Sequence, residues 1–189
     1  PELKKYFLFV SYDPLMTTYN VRVGRADKPE GPFLDYAGHD LKDTTNNFPI
    51  LTAPYAFEGH PGWAGTAHCG VWREENGRYY MFHQGRLSPE NQLMVLHTRE
   101  IFFNAEGWPV VSPERYAGTK SRRFTVKDML GEWEIMRVIE PLHERQLEAG
   151  QVLWGEGQLV DDEINRSSVY HFEKDKTLRE GGRWSFYAD

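Results

Sequence analysis

Two stretches of the chain repeat one another, and this repeat constrains the fold more than any single residue does. The segment YFLF at residues 6–9 matches YYMF at 79–82, an offset of 79 − 6 = 73 positions. At the same offset NVRVG at 20–24 falls on LMVLH at 93–97. Helical repeat units are roughly 20 to 50 residues long. A period above 70 therefore indicates a larger repeated unit.

Both copies have a sequence pattern that is typical of β-strands. Apolar and aromatic side chains alternate with a period of two, as Phe7 and Phe9 do with Tyr6 and Leu8, and clusters of Gly, Pro and Asn separate the runs. This alternation indicates half-buried strands, and the clusters indicate turns. We therefore predict three strands in the first copy and four in the second: 3–12, 20–26, 32–36, 65–72, 77–84, 93–103 and 108–111.

Each copy is thus predicted to be an antiparallel meander, which is the unit of a β-propeller blade. Propellers typically close with about four to eight blades, and two blades cannot close a ring. Either the repeat is misinterpreted, or the chain is one piece of a larger assembly. The first copy also has no counterpart of the strand at 65–72, since the position equivalent to His68 is 68 − 73 = −5. We expect that blade to lack its innermost strand.

The pattern changes after residue 118. The basic segment TKSRR at 119–123 is predicted to be a linker, and Gly-rich turns follow it. We predict four or five further strands from the segments 131–138, 151–160, 167–176 and 182–189. Residues 143–150 are predicted to form one or two helical turns. We therefore divide the chain into a partial propeller at 1–118 and, at 119–189, a linker with a small β-barrel or sandwich domain.

Composition argues against several classes of function. The net charge of −6 and the lack of a Lys/Arg stripe argue against nucleic acid as a partner. No apolar stretch approaches the roughly 18 residues of a membrane-spanning helix. A single cysteine, Cys69, excludes an internal disulfide. The aromatic fraction of 14% suits both β-sheet packing and stacking against carbohydrate rings.

Several motifs of residues 3–118 follow one another in the order found in one family. YFLFVSYD, GHPGWAGTAHCGVW, GRYYMFHQGR and MVLHTREIFFNAEGWPVVSPERYAG resemble the last two blades of the arabinanases of glycoside hydrolase family 43. The tail that begins GEWEI resembles the additional β-barrel domain of some of these enzymes. The resemblance implies an all-β fold: the last two blades of a five-bladed β-propeller, followed by a small β-barrel or sandwich domain.

The resemblance also implies an activity, the hydrolysis of α-1,5-linked L-arabinan with inversion, by an enzyme that is extracellular or periplasmic. Family members use an Asp base, a second Asp that tunes pKa and positions substrate, and a Glu acid. None of the three matches a position in residues 1–189. We therefore expect the catalytic carboxylates, and any export signal, to lie on a complementary N-terminal fragment. The alternative is a non-catalytic carbohydrate-binding or structural module, and endo or exo cleavage stays open.

His68 is the principal candidate for a functional site. The resemblance implies that it points into the axial channel and joins a calcium or similar ion together with waters. Calcium takes about six to eight oxygen ligands, so one imidazole implies a mostly hydrated ion. From the residue alone, a hydrogen-bonded structural role is commoner for a lone His on a strand. Cys69 stands where many relatives carry Asn.

Tyr12 and Tyr19 flank the loop DPLMTT, which the resemblance places at the mouth of the substrate cleft. We predict that both contact substrate, because Tyr presents a flat ring and a hydroxyl to a furanose, although strand packing explains them almost as well. Trp63 either borders the cleft or packs within the blade. If the resemblance fails, an acid/base pair must come from a set of carboxylates in which no pair stands out: Asp13, Asp27, Asp35, Asp40 and Glu58.

Overall fold

The computed structural model describes six segments of the chain, and the structural statements below concern these segments: 3–43, 47–89, 92–112, 114–118, 122–139 and 163–186. They contain twelve β-strands and one short 3₁₀ helix, Val126–Met129. The predicted all-β fold is thus confirmed. No helix within these segments has the length and hydrophobicity to cross a membrane.

The strands, numbered in chain order, form three sheets. The first sheet contains β1 (Tyr6–Tyr12), β2 (Asn20–Ala26) and β3 (Ile50–Thr52). The second contains β4 (Tyr55–Ala56), β5 (Trp63–Ala64), β6 (Gly70–Arg73), β7 (Tyr79–Leu87), β8 (Met94–Phe103), β9 (Pro109–Val111) and β11 (Asn165–Arg166). The third contains β10 (Gly131–Ile135) and β12 (Ser168–Phe172).

The first sheet is antiparallel in the order β1–β2–β3. The strand predicted at 32–36 is wrong, because this segment makes only isolated bridges, from Leu34 to Arg25 and to Asp40. Asp35 begins the turn, since its carbonyl oxygen accepts the N–H of Gly38 at 3.1 Å. The third strand is β3 instead, which lies later in the sequence and pairs with β2.

The second sheet has the order β11–β4–β5–β7–β8–β9, with β6 paired to β7. The strand predicted at 65–72 is interrupted, because residues 65–69 leave the sheet between β5 and β6. Gly65 and His68 have φ angles of +58° and +57°, which no strand residue adopts. A Cβ atom on Gly65 would lie 2.7 Å from the carbonyl oxygen of Leu15. The close approach of the two loops therefore requires glycine.

Strand pairing supports the internal repeat and corrects its register in the second strand. Tyr12 lies opposite Asn20 in the first sheet, and Gly85 (12 + 73) lies opposite Val95 (20 + 75) in the second. Strands β1 and β7 thus correspond at an offset of 73 but β2 and β8 at 75. A shift of two residues leaves every side chain on the same face of its sheet, so the two copies keep equivalent faces.

The hydrophobic core lies between the first and second sheets. Its buried members come from both sheets and from residues next to their strands: Val21, Val23, Leu51, Ala67, Met81, Ile101 and Trp108. Phe7 and Phe9 of β1 pack against the same cluster, and the rings of Phe7 and Phe103 lie 5.7 Å apart. Face-to-face packing of this kind brings the end of β1 beside the segment 65–69.

The C-terminal region adds to the second sheet. Strand β11 pairs in parallel with β4, more than 100 residues earlier in the chain. The Asn165 side chain strengthens this contact, since its Nδ2 donates to the carbonyl oxygen of Pro54 at 2.9 Å and its Oδ1 accepts the N–H of Ile139 at 3.1 Å. Residues of the C-terminal region are therefore attached to the second sheet by backbone and side-chain hydrogen bonds.

Two of the strands predicted near the C-terminus are confirmed, since β10 and β12 fall within 131–138 and 167–176. Residues 182–186 form no strand, and Arg183 makes only an isolated bridge to Thr177. The predicted helical turn at 143–150 and strand at 151–160 lie outside the described residues. The division at residue 118 stays a prediction.

Candidate functional site

The segment 65–69, which carries His68, is held from both sheets. From the first sheet, Ser11 Oγ accepts the backbone N–H of His68 at 3.0 Å. From the second, the Gln84 N–H donates to the carbonyl oxygen of Ala67 at 3.0 Å, and Gln84 Nε2 donates to that of Gly65 at 3.2 Å. These bonds fix the left-handed backbone at His68, whose side chain is exposed.

His68 lines an open cleft of about 380 Å³ on the second sheet. Its imidazole and the Gln84 amide supply polar groups, and the other side chains on this cleft are chiefly apolar: Phe82, Met94, Val95 and Leu96. No carboxylate is among the described residues that line it. The cleft can therefore offer a hydrogen bond or one imidazole ligand together with an apolar surface, but it holds no acid/base pair.

The residues around His68 fit a metal ion only in a limited way. Within the described segments, no three His, Cys, Asp or Glu side chains are grouped so that they could hold an ion. His68 would be a single nitrogen ligand, and calcium prefers oxygen ligands. The donor set of this chain is thus compatible with an ion that takes most of its ligands from water or from other protein groups.

Tyr12 belongs to a polar network of the first sheet. Its hydroxyl donates to Asn47 Oδ1 at 3.1 Å, and the Arg22 guanidinium lies 4.7 Å from its ring centroid. Burial raises the pKa of Tyr12, with Arg22 acting in the opposite direction. Arg22 is fully buried and lies 3.6 Å from Asp13 Oδ2. Both functional groups of Tyr12 therefore have partners within the chain, and its predicted substrate contact stays a prediction.

Tyr19 and Trp63 contribute to packing. Tyr19 is half-buried and packs on the core between the first two sheets, and its role at the cleft also stays a prediction. Trp63 is only 7% exposed, with the His97 ring 4.5 Å away edge-on and the Arg115 guanidinium 4.9 Å from its ring. Of the two roles considered for Trp63, packing within the sheet is the one observed.

Most of the carboxylates that were candidates for an acid/base pair have partners within the chain, and Asp13 and Asp35 both lie near Tyr12. Asp35 is buried, and Nδ2 of Asn47 donates to it at 3.2 Å. Burial acts to raise the pKa of Asp35, but hydrogen bonds from the His39 backbone and Asn47 hold it below its ordinary value. Asp27 pairs with Lys5, and Asp40 with Lys42. Glu58 is exposed on a separate loop.

Sequence reasoning missed a cluster of buried basic side chains beneath the cleft. His83 is 1% exposed; its Nε2 accepts from Arg99 Nε at 2.9 Å and its Nδ1 lies 2.6 Å from the Gln84 carbonyl oxygen. His97 is fully buried, and neither ring nitrogen has a hydrogen-bond partner among the described residues. Burial, assisted by Arg99, lowers the pKa of His83 to about 3 and that of His97 to about 4. Both imidazoles are neutral at neutral pH.

The only sequence signal for this cluster is alternation. His83 lies two residues from Met81 on β7, and His97 two residues from Arg99 on β8, so all four share the inward face of the sheet. The alternation alone does not tell whether a histidine at such a position lies on the surface or in the core. Here the histidines are buried because β4 and β5 curl over this face, which the sequence does not show. The sequence also gives no sign that Ser11 and Gln84 hold the segment that carries His68.

The C-terminal region is similar to a known protein domain. Residues 113–189 match the family model of the C-terminal lipocalin-like domain of glycoside hydrolase family 43. The chain matches the C-terminal portion of family 43 arabinanases. The family model covers the region with β10, β11 and β12. The relatives described next extend the similarity across the repeat.

Two curated relatives are extracellular endo-α-(1→5)-L-arabinanases. Endo-arabinanase 2 of Bacillus subtilis is 26% identical over 97% of this chain and 41% of the relative. The enzyme of Thermotoga petrophila is 23% identical over 72% of this chain and 32% of the relative. The chain thus spans less than half the length of the curated relatives that it matches.

Solved structures of the family share the fold. The endo-1,5-α-L-arabinanase of T. petrophila in complex with TRIS superimposes with a TM-score of 0.79 at 21% identity, over 100% of this chain and 42% of the other. The family 43 protein YxiA of Bacillus licheniformis gives 0.76 at 23% identity, over 96% and 41%. The all-β arrangement of the sheets is therefore that of family 43 enzymes.

Proposed function

We propose that this family 43 chain is the C-terminal part of an extracellular glycoside hydrolase that cleaves α-1,5-linked L-arabinan with inversion. The observation that carries the proposal is the similarity to an endo-arabinanase over 97% of the chain, which includes both repeat copies and the C-terminal domain. Five-bladed closure of the propeller is part of the proposal.

The acid and base are proposed to lie on the N-terminal portion. Inversion needs two carboxyl groups roughly 6.5–9.5 Å apart, one to protonate the leaving oxygen and one to activate water on the opposite face of the sugar. In this chain Asp13 lies beside Arg22 and Asp35 accepts from Asn47. Neither faces the His68 cleft, and no carboxylate described there replaces them.

His68 is proposed to hold one position of a calcium ion that is otherwise coordinated mainly by water. When bound, such an ion supplies positive charge near the reacting sugar. The chain's own contribution is to orient the imidazole, because Ser11 holds the backbone N–H of His68 and Gln84 holds the carbonyl oxygen of Ala67 just before it. Phe82 and Leu96 add an apolar surface to the same cleft.

The proposal is tested with two proteins: the 189-residue chain alone, and a chimera in which it replaces the matched region of the B. subtilis endo-arabinanase 2. We expect the chimera to release inverted products from α-1,5-arabinan, followed by proton NMR of the anomeric signal, and the chain alone to release none. Hydrolysis by the chain alone would show that its own carboxylates suffice. An inactive chimera, together with arabinan binding by the chain alone, would favour the non-catalytic module.

A His68→Gln variant of the chimera tests the metal ligand separately. We expect it to lose bound calcium, measured by elemental analysis after gel filtration, while keeping its circular dichroism spectrum. His60→Gln is the matched control, since His60 is also exposed but is stacked on Trp63, outside the His68 cleft. Equal calcium content in both variants would show that His68 is not a calcium ligand.

A further inference from the structure

The loop 13–19, which joins β1 to β2, begins with a strained residue. Asp13 has a φ angle of +70°, in a region that is uncommon for residues other than glycine. It also precedes Pro14, and proline pushes the residue before it toward an extended conformation. A residue in such a conformation persists only where the surrounding structure fixes it. The contacts of Asp13 therefore have to hold the start of the loop.

Asn20 and Arg22 of β2 supply these contacts. Asn20 Nδ2 donates to the Asp13 carboxylate, and Arg22 Nη2 lies 3.6 Å from Oδ2 of the same carboxylate. Arg22 Nε donates to Asn20 Oδ1 at 3.0 Å, which joins the three side chains into one network. Asn20 and Arg22 are fully buried. Because a buried guanidinium is costly unless it is paired, Arg22 keeps the Asp13 carboxylate in place.

The same network determines the course of the loop. Asn20 Nδ2 also donates to the carbonyl oxygen of Thr18 at 2.9 Å. Within the loop, the carbonyl oxygen of Pro14 accepts the N–H groups of Thr17 at 3.2 Å and Tyr19 at 3.0 Å. Thr17 and Thr18 are buried. The loop is thus a compact turn, and one Asn side chain bonds to both its first residue and its penultimate peptide.

This turn holds the start of the segment that carries His68. The carbonyl oxygen of Thr17 accepts the N–H of Gly65 at 2.8 Å, and Thr66 Oγ1 donates to the carbonyl oxygen of Tyr19 at 3.5 Å. Thr66 is fully buried. A continuous path of bonded groups therefore leads from the buried guanidinium to the residues just before the imidazole.

We propose that Asp13 and Arg22 are positioning residues for His68. Their ion pair sets the loop 13–19, and the loop sets Gly65 and the residues that follow it. Neither Asp13 nor Arg22 lines the His68 cleft, so both act through the backbone. The inference rests on the proposed function for what His68 binds, whereas the path of contacts belongs to this chain alone.

The test measures amide hydrogen exchange of Gly65 and His68 by NMR in the 189-residue chain. Rates are divided by that of Met81, a core residue of β7, so that a general loss of stability cancels. Asp13→Ala and Asp13→Gly both remove the carboxylate, but glycine adopts a positive φ without strain. The Asp13 side chain is 21% exposed, which makes it a milder site to change than the buried Arg22.

Asp35→Ala is the matched control. Asp35 is a buried carboxylate on the same side of the first sheet, near Tyr12. It accepts hydrogen bonds from Asn47 Nδ2 and the His39 backbone, and these partners lie outside the loop 13–19. Its loss removes a buried carboxylate without releasing the turn.

We expect both Asp13 variants to speed the relative exchange of Gly65 and His68 about tenfold or more, and Asp35→Ala to change it less than about twofold. Wild-type exchange in Asp13→Gly would show that backbone strain alone matters, which would overturn the role of the ion pair. Equal acceleration in Asp35→Ala would make the effect a general loosening and overturn the proposal as well.

Arg22→Lys tests the other partner. Lysine keeps the charge but lacks the planar fork that reaches Asn20 and Asp13 together, so we expect exchange at Gly65 to rise as in Asp13→Gly. Unchanged exchange would refute the role of Arg22. The Asp13 variants keep the proposal testable if Arg22→Lys does not fold.

The chimera with the B. subtilis enzyme separates this inference from the proposed function. There we expect Asp13→Gly to raise the Kd for calcium about tenfold, with hydrolysis of arabinan restored by excess calcium. Faster exchange at His68 in a chimera that hydrolyses nothing would refute the proposed function and leave the positioning role standing. A hydrolysing chimera in which Asp13→Gly changes neither exchange nor calcium affinity would refute the positioning role alone.

Discussion

The buried histidines of the second sheet predict that the chain loses stability in mild acid. His83 and His97 lie on adjacent strands with ring centroids 5.1 Å apart, beside the Arg99 guanidinium. Their pKa values fall from 6.5 to about 3 and about 4 in the folded chain. Both are therefore neutral when folded, and the unfolded chain binds protons more readily. The part of the folding stability that depends on these neutral imidazoles is fully present above pH 6.5. It is lost as the pH falls toward 4 and then 3.

The magnitude follows from the pKa differences. At pH 5 the unfolded His97 is protonated and the folded one is not, which costs about 1.5 × 1.36, or roughly 2 kcal/mol. His83 adds a similar amount at this pH. Some access of water to the ring environment reduces both contributions. We therefore expect the free energy of unfolding to fall by about 2–4 kcal/mol between pH 7.5 and pH 5.

The assay is urea unfolding at pH 7.5, 6 and 5, followed by tryptophan fluorescence, since Trp63 lies against His97. His97→Leu removes one titrating group and leaves no unpartnered nitrogen, so we expect it to abolish about half of the acid-induced loss. His39→Gln is the control, because the side chain of His39 is 64% exposed. If His97→Leu keeps the full pH dependence of the wild-type chain, burial of His97 is not its cause.

Two further predictions concern packing. Gly85→Ala places a Cβ atom 2.5 Å from the His97 ring and should cost about 1–3 kcal/mol of unfolding free energy, whereas Gly70→Ala, with open space around it, should cost under about 1 kcal/mol; similar losses in urea unfolding would contradict the close contact. Asn165→Ala removes the side-chain bonds to Pro54 and Ile139 and should lower stability by about 1–3 kcal/mol and speed amide exchange in β11 and β4. Unchanged exchange there would show that the strand pairing does not need the Asn165 side chain.

The sequence was most informative where local pattern alone determines the structure. Strands β1, β2, β7 and β8 follow from the alternation of apolar side chains, and the repeat between them follows from similarity of sequence. The prediction of a strand at 32–36 was wrong because the chain turns at Asp35, whose carbonyl oxygen and carboxylate accept the backbone N–H groups of Gly38 and His39. The break at 65–69 was missed because one glycine and one histidine in a left-handed conformation leave no mark on hydrophobic periodicity.

Features that depend on distant contacts could not be predicted. Strand β11 has only two residues, and its partner lies more than 100 positions earlier, so no window of sequence contains both. The burial of Trp63 could not be predicted for the same reason, because it depends on His97 and Arg115 from other parts of the chain. His68 is a candidate through family resemblance alone, and its site role stays a prediction. The residues that hold its segment were not predicted, because Ser11 and Gln84 contribute a single hydroxyl and an amide from two separate strands.

The way in which the His68 segment is held links the site to the packing of the sheets. Ser11 belongs to the first sheet and Gln84 to the second, so the position of the imidazole depends on how these two sheets are set against each other. The core between them fixes that relation, with Val21 on one side and Met81 on the other.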